Sequence, residues 1–163
     1  MSYMPIVVAA SLLASIGLAA SASAGDAAEN NPSDEAAIRN VMADYNAALN
    51  GGKTAAVLPL YTDDGIFMPP YSQSAVGKEA VRVAYDKVFE ELKFNVKFTI
   101  AELVQIAPGW AYVRTNSAGT TGHASTGKTT AEANQELFIF KKGDDGKWRI
   151  TRYSFSPTNP PSN

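Results

Sequence analysis

Apolar positions 38, 41, 42, 45 and 49 recur every three or four residues. Ile38, Val41, Met42, Tyr45 and Leu49 therefore form one stripe on a helix predicted over 32–49. Asn31 suits its N-cap, Pro32 its first turn, and Asp34 places negative charge beside unpaired backbone amides. Asn50-Gly51-Gly52 ends it by tolerating left-handed backbone. A short helical segment follows over 54–60, disturbed at Pro59. Asp63-Asp64-Gly65 then makes a turn, and Ile66-Phe67-Met68 a short strand stopped by Pro69-Pro70. A third helix over 78–91 carries Val81, Tyr85, Val88 and Leu92 on one side, with Phe89 alongside. Lys78, Glu79, Arg82, Asp86, Lys87, Glu90 and Glu91 face solvent.

Beyond this helix the period drops to two. Phe94, Val96, Phe98 and Ile100 alternate with Asn95, Lys97, Thr99 and Ala101, the mark of a strand with one buried face. Pro108-Gly109 gives a turn, 110–117 begins another strand, and the Gly-, Thr- and Ser-rich stretch 119–130 is expected as a long hairpin connection or frayed strand end. Strands over 132–141 and 148–155 flank a hairpin at Gly143-Asp144-Asp145-Gly146. Pro157, Pro160 and Pro161 argue against further pairing. Helices first and strands afterwards predict an α+β layer, with helices covering one face of an antiparallel sheet.

The N-terminus is of another kind. From Pro5 to Ala20 the chain has no charge and is apolar or small, and Ala22-Ser23-Ala24 is the small-x-small pattern that a signal peptidase accepts. The run is 16 residues long, short of the ~17–25 that span a bilayer. The expected organisation is a signal peptide over 1–24, a short tether over 25–30, one domain over 31–156 and a C-terminal tail over 157–163. The protein would then be periplasmic or secreted, with no stable membrane span after signal removal.

Composition narrows the chemistry. The chain has 163 residues, enough for one domain plus a leader. It has no cysteine, which excludes disulfides, thiolate catalysis and cysteine-built zinc sites, and a single histidine, which leaves no histidine-rich metal centre. Fourteen basic against 16 acidic side chains give a net charge of -2, and no Lys/Arg cluster supports nucleic-acid binding. No phosphate-cradling glycine motif, serine-hydrolase elbow or calcium-loop spacing occurs, so no cofactor and no metal is expected.

Three stretches carry a resemblance: Tyr45-Asn46-Ala47-Ala48-Leu49-Asn50-Gly51-Gly52, Leu60-Tyr61-Thr62-Asp63-Asp64-Gly65 and Gly77-Lys78-Glu79-Ala80-Val81. They resemble the N-terminal half of the SnoaL-like and ketosteroid-isomerase-like superfamily, also called nuclear-transport-factor-2-like. Residues 136–142 and 145–155 look like the terminal strands of its domain-of-unknown-function branch. The resemblance covers 31–156. It implies a cystatin-like, cone-shaped barrel in which a strongly curved antiparallel sheet packs against three helices, often as a homodimer. Fold membership does not choose a reaction, because the superfamily holds isomerases, hydrolases and plain binding domains. By the same resemblance Tyr45 falls where ketosteroid isomerases carry an oxyanion-hole tyrosine. Pro69 stands where they carry the general base, so that base is missing here.

The candidate catalytic groups are Tyr45, Asp64, His123 and Glu136. Asp63 and Asp64 serve equally as turn formers, and His123 matters only if its polar connection folds over a pocket mouth. Candidate ligand contacts are Tyr61, Phe67, Met68, Tyr71, Tyr85 and Phe89 as walls. Arg114, Asn116, Glu132, Asn134, Arg152 and Tyr153 are candidates from the strands. Glu132, Asn134 and Glu136 share a strand face with Phe138 and Phe140, so carboxylates there either rim a pocket or pair with an arginine on an exposed face. Trp148 and Ile150 alternate against Tyr153 and Phe155, which suggests a second covered face and hence a homodimer. The function expected is binding of a small, lipophilic or carbonyl-containing molecule in an apolar cavity, as an isomerase or hydrolase. The alternative is a non-catalytic homodimeric binding domain.

Overall fold

The computed structural model describes residues 31–159; the expected signal segment, the tether and Pro160-Pro161 lie outside them. Helix α1 runs Pro32–Gly51, two residues beyond the expected end, and Gly52 closes it in left-handed conformation. Asn31 caps it, accepting from the amides of Ser33 (3.0 Å) and Asp34 (3.4 Å). A short helix α2 (Thr54–Val57) and a 3₁₀ turn lead into strand β1, Tyr61–Met68. The two-residue β2 (Ala75–Val76) precedes helix α3 (Lys78–Glu91). Four strands complete the chain: β3 (Leu92–Ala107), β4 (Trp110–His123), β5 (Thr129–Lys142) and β6 (Trp148–Pro157). Among the described residues no helix is long and apolar enough to cross a membrane.

One six-stranded sheet has the order β2-β1-β6-β5-β4-β3, curled around the helices. It is mixed rather than wholly antiparallel: β1 pairs with β6 in parallel, because the long path through α3 and the meander returns the chain beside its first strand. Asp63 and Asp64, expected in a turn, lie within β1, where the register slips between Tyr61 and Ile66 and leaves both side chains exposed. The stretch 119–130 is paired strand except for its 124–128 tip, with Gly119 opposite Glu132 and Gly122 opposite Thr129. Pro157 is the last residue of β6, opposite Asn134.

Two register shifts reset which side chains face inward. A bulge between Ile139 and Phe140 in the β5–β6 ladder sets Ile150 opposite Phe140 and Tyr153 opposite Phe138. Trp148, Ile150, Tyr153 and Phe155 consequently share the concave face. The two-sided apolar pattern that suggested a covered outer face does not exist, and Arg152, opposite Ile139, points outward. A second shift, between Ile100 and Glu102, turns Glu102 outward beside Arg114 and Leu103 inward beside Val113.

The concave face buries Val96, Leu103, Val113, Phe138, Phe140 and Ile150 against Ile38, Met42, Tyr45 and Leu49 of α1 and Val81 and Tyr85 of α3. Polar contacts fix how α1 sits. The free edge of β3 is sealed by Asn46 and Asn50, whose Nδ2 groups donate to Val96 O (2.9 and 2.8 Å), while Val96 N donates to Asn50 Oδ1 (3.0 Å). At the other end, Asp34 Oδ1 accepts from Lys142 Nζ (2.7 Å) and Trp148 Nε1 (2.9 Å), tying the start of α1 to the β5–β6 hairpin.

At Gly119 the β4 backbone lies tight against β3. A Cβ there would lie 2.1 Å from Asn95 O and 2.8 Å from Val96 Cα, both backbone atoms. Gly119→Ala is expected to cost about 2–3 kcal/mol by urea unfolding. Gly51→Ala, which meets nothing within 4 Å, should change stability by less than about 0.5 kcal/mol. Equal effects at the two positions would refute the close approach as a constraint.

Candidate functional site

The helices do not fill the concave face. A cavity of about 230 Å³ remains between α1, α3 and the sheet. Tyr45 and Leu49 of α1 and Tyr85 and Val88 of α3 form one wall, with Phe67, Pro69 and Pro70 beside them. Leu92, Phe94, Val96 and Phe98 of β3 face them. Ser117, Glu132, Asn134, Tyr153 and Phe155 complete the lining. Burial along β5 runs from half-buried Glu132, through Asn134 (7% exposed) and Glu136 (3%), to Phe138 and Phe140 (0%). That strand therefore descends from the open to the closed end of the cone.

Much of the wall consists of nearly parallel rings. Phe67 stacks on Tyr85 (4.9 Å, 21° between planes), Tyr153 (5.4 Å, 18°) and Phe155 (6.3 Å, 15°). Tyr153 in turn lies flat on Phe138 at 4.1 Å. Tyr45 presents its edge to Phe98, Phe138 and Tyr153. Stacked on one another, these rings give the cavity an apolar wall. An apolar cavity of roughly 150 Å³ accepts benzene, so this one has room for a substituted ring or a small fused pair.

Two polar groupings interrupt the apolar lining. The first is a chain of phenols: Tyr85 Oη lies 2.7 Å from Tyr45 Oη and 3.1 Å from Tyr61 Oη. Burial pushes the Tyr45 phenol well above its ordinary value, opposed by the Tyr85 and Tyr153 hydroxyls. Burial also raises Tyr61, Tyr85 and Tyr153, so all four stay protonated at neutral pH. Either oxygen of each pair can donate, and Tyr45, whose hydroxyl also interacts with that of Tyr153, is the end of this chain that stands in the cavity wall.

The second is on the sheet. Thr115 Oγ1 and Ser117 Oγ each donate to Glu136 at 2.5 Å. Asn134 Nδ2 donates to Glu132 Oε1 (2.8 Å) and Ser117 Oγ (3.5 Å), and Thr121 Oγ1 to Glu132 Oε2 (3.2 Å). Burial raises the Glu136 carboxyl above its ordinary value; the two hydroxyls pull it back and the Glu132 charge pushes it further up. Among the described residues no group of three or more His, Asp or Glu converges to hold a metal.

The structure brings Tyr45, Phe67, Tyr85, Glu132, Asn134 and Tyr153 into the cavity wall, with Glu136 just beneath Ser117. The other candidates lie elsewhere. Tyr61 is fully buried behind Tyr85, and Phe89 packs on Tyr85 from outside the cavity. Met68 has the opposite parity to Phe67 in β1, and Tyr71 is fully exposed. Asp64 is exposed on β1. Arg114 and Asn116 stand on the convex face, Arg114 paired with Glu102 (3.3 Å), so neither reaches the strand carboxylates. Arg152 donates to Asp64 O and Thr151 O at the sheet's outer side. His123 ends β4 in a separate groove, hydrogen-bonded with Thr130 Oγ1 (2.9 Å) and 3.9 Å from Glu91.

Ser117, Thr115 and Thr121 escaped the sequence reading, as did Leu49, Val88, Phe94, Val96, Phe98 and Phe155 as wall residues. A usable signal existed in β4: Ala111, Val113, Thr115 and Ser117 are small and uncharged, whereas Arg114 and Asn116 alternate with them. The uncharged parity is the one that turns inward.

Glu136 carries a pH signature. Its folded carboxyl keeps its proton to higher pH than the unfolded one, so the folded state loses stability as pH rises from about 4.5 through the raised value. Glu136→Gln is expected to raise the urea midpoint at pH 7, with the gain shrinking towards zero as the pH falls to 4.5. A gain independent of pH would contradict the assignment.

The sequence model of the SnoaL-like domain matches residues 42–151. A ketosteroid isomerase-like protein from Erwinia carotovora atroseptica SCRI1043 is 37% identical, the match covering 80% of this chain and 100% of that one, with a TM-score of 0.76. A conserved protein from Planctomyces limnophilus DSM 3776 is 26% identical over 78% of this chain and 99% of that one (TM-score 0.68). Hexachlorocyclohexane dehydrochlorinase LinA-type3 from Novosphingobium barchaimii LL02 is 12% identical over 78% and 88% (TM-score 0.71), a likeness of fold alone. No curated protein matches the chain. The matched span and the 37% identical relative agree with the curled sheet and its three helices: the chain belongs to the SnoaL-like domain family.

Proposed function

We propose that this domain binds a small, planar, mostly apolar molecule in the slot between Phe67, Tyr153 and the β3 side chains, with Tyr45 and Glu132 available for acid–base chemistry on it. The observation that carries the reading is the aligned aromatic wall around about 230 Å³ of space, interrupted by polar groups at only two places. Tyr45 offers a neutral donor to an oxygen on which charge develops, and Glu132 offers an acceptor on the opposite wall. A relative described as ketosteroid isomerase-like and a fold neighbour described as a dehydrochlorinase support small-molecule chemistry. Pro69 in the wall has no proton-accepting group, so any base in this cavity has to be a sheet carboxylate. The apolar leader over 1–24 supports placing the domain outside the cytosol, and N-terminal sequencing of the exported protein should begin at Gly25 rather than Met1.

Naphthalene-sized probes test the reading. 2-Methoxynaphthalene is expected to bind the purified protein at one site with micromolar affinity and to raise its melting temperature. Val88→Trp, which fills the slot from α3, should abolish binding while leaving the circular dichroism spectrum unchanged. No binding by the wild type, or undiminished binding by a folded Val88→Trp variant, would overturn it.

A further inference from the structure

The polar patch on the sheet has a one-sided hydrogen-bonding character. Its donors are all engaged within the protein. The Thr115 and Ser117 hydroxyls are taken by Glu136, the Thr121 hydroxyl by Glu132, and the Asn134 amide protons by Glu132 and Ser117. What remains is acceptor capacity: the lone pairs of Glu132 and, above all, Asn134 Oδ1. Asn134 is 7% exposed and lines the cavity, while its Oδ1 is enclosed and has no hydrogen-bond partner among the described residues, so a ligand donor reaches it only as the neighbouring wall side chains give way. The amide cannot relieve this by flipping, because its oxygen would then face the Glu132 carboxylate now bound by Nδ2. A buried carbonyl without a donor is costly, and a bound molecule that supplies one removes the cost.

We infer that the sheet side of the cavity selects ligands bearing a hydrogen-bond donor, a phenol, alcohol or N–H group, which Asn134 Oδ1 receives with Glu132 as a second acceptor beside it. This rests on the cavity being a ligand site and adds the ligand's chemical class. Molecules whose polar atoms only accept, such as ethers, find no free donor on this wall. Anions are further disfavoured by the two carboxylates. The phenol at Tyr45 has the complementary preference, so the favoured ligand donates at the sheet and is apolar or accepting towards α1. That polarity belongs to this chain's own residues: replacing Asn134 with an apolar side chain would leave the aromatic slot intact and erase it.

The test compares 2-naphthol with 2-methoxynaphthalene, which have the same ring system and differ in the donor. Wild-type protein is expected to bind 2-naphthol roughly tenfold tighter by calorimetry at neutral pH. In the wild type's NMR spectrum, the Asn134 side-chain amide resonances should shift with 2-naphthol and stay in place with the ether. Asn134→Leu should reduce the preference to parity while still binding the ether. Equal affinities in the wild type, an unmoved Asn134 amide, or a full preference surviving in Asn134→Leu would each overturn the inference. All three results leave the cavity reading standing, because both probes still bind. Failure of both probes to bind defeats the cavity reading itself, and this inference with it.

Discussion

The curl of the sheet is the constraint from which the rest follows. Where β4 passes over β3 at Gly119 there is no room for a side chain, and the long strands bend around a concave face larger than α1 and α3 can cover. Helix α1 is not free to move in and close the gap. Asn46 and Asn50 bind α1 to the backbone edge of β3, and Asp34 binds its start to Lys142 and Trp148 on the far side of the sheet. A helix pinned at both sides of a bent sheet leaves space between them. In this molecule that space is walled by rings rather than filled by them.

The chemistry is sorted by face. On the convex side Arg114 pairs with Glu102, and exposed charges of this kind contribute little to stability. The concave side holds uncharged Thr115, Ser117, Thr121 and Asn134 arranged around two carboxylates, and four phenols that burial keeps protonated. Keeping Glu136 there is costly unless hydroxyls surround it, and it has two. Such a buried polar cluster adds little to folding, which makes a role in binding its more economical explanation.

Elements set by local pattern were legible in the sequence. The α1 stripe, its Asn31 cap, the α3 stripe and the alternations of β3 and β5 all emerge from spacing. What the sequence concealed depends on non-local pairing. A bulge resets alternation without any composition marker, so Trp148 and Tyr153 look as if they face apart when both face inward, and Arg152 looks inward when it faces out. The parallel β1–β6 pair and the paired state of 119–123 likewise depend on partners far along the chain. The site was half legible for the same reason. Glu132, Asn134 and Glu136 follow from strict alternation within β5, whereas Tyr71, Asp64 and His123 have suitable chemistry at positions whose direction only the tertiary structure sets.

The central claim is that a planar molecule occupies the concave slot. Nuclear Overhauser contacts from bound naphthalene to the protein test it most directly. The account predicts contacts to the ring protons of Phe67 and Tyr153 and to the methyl groups of Val96. Contacts confined to Tyr112 and Leu137 on the convex face would contradict it.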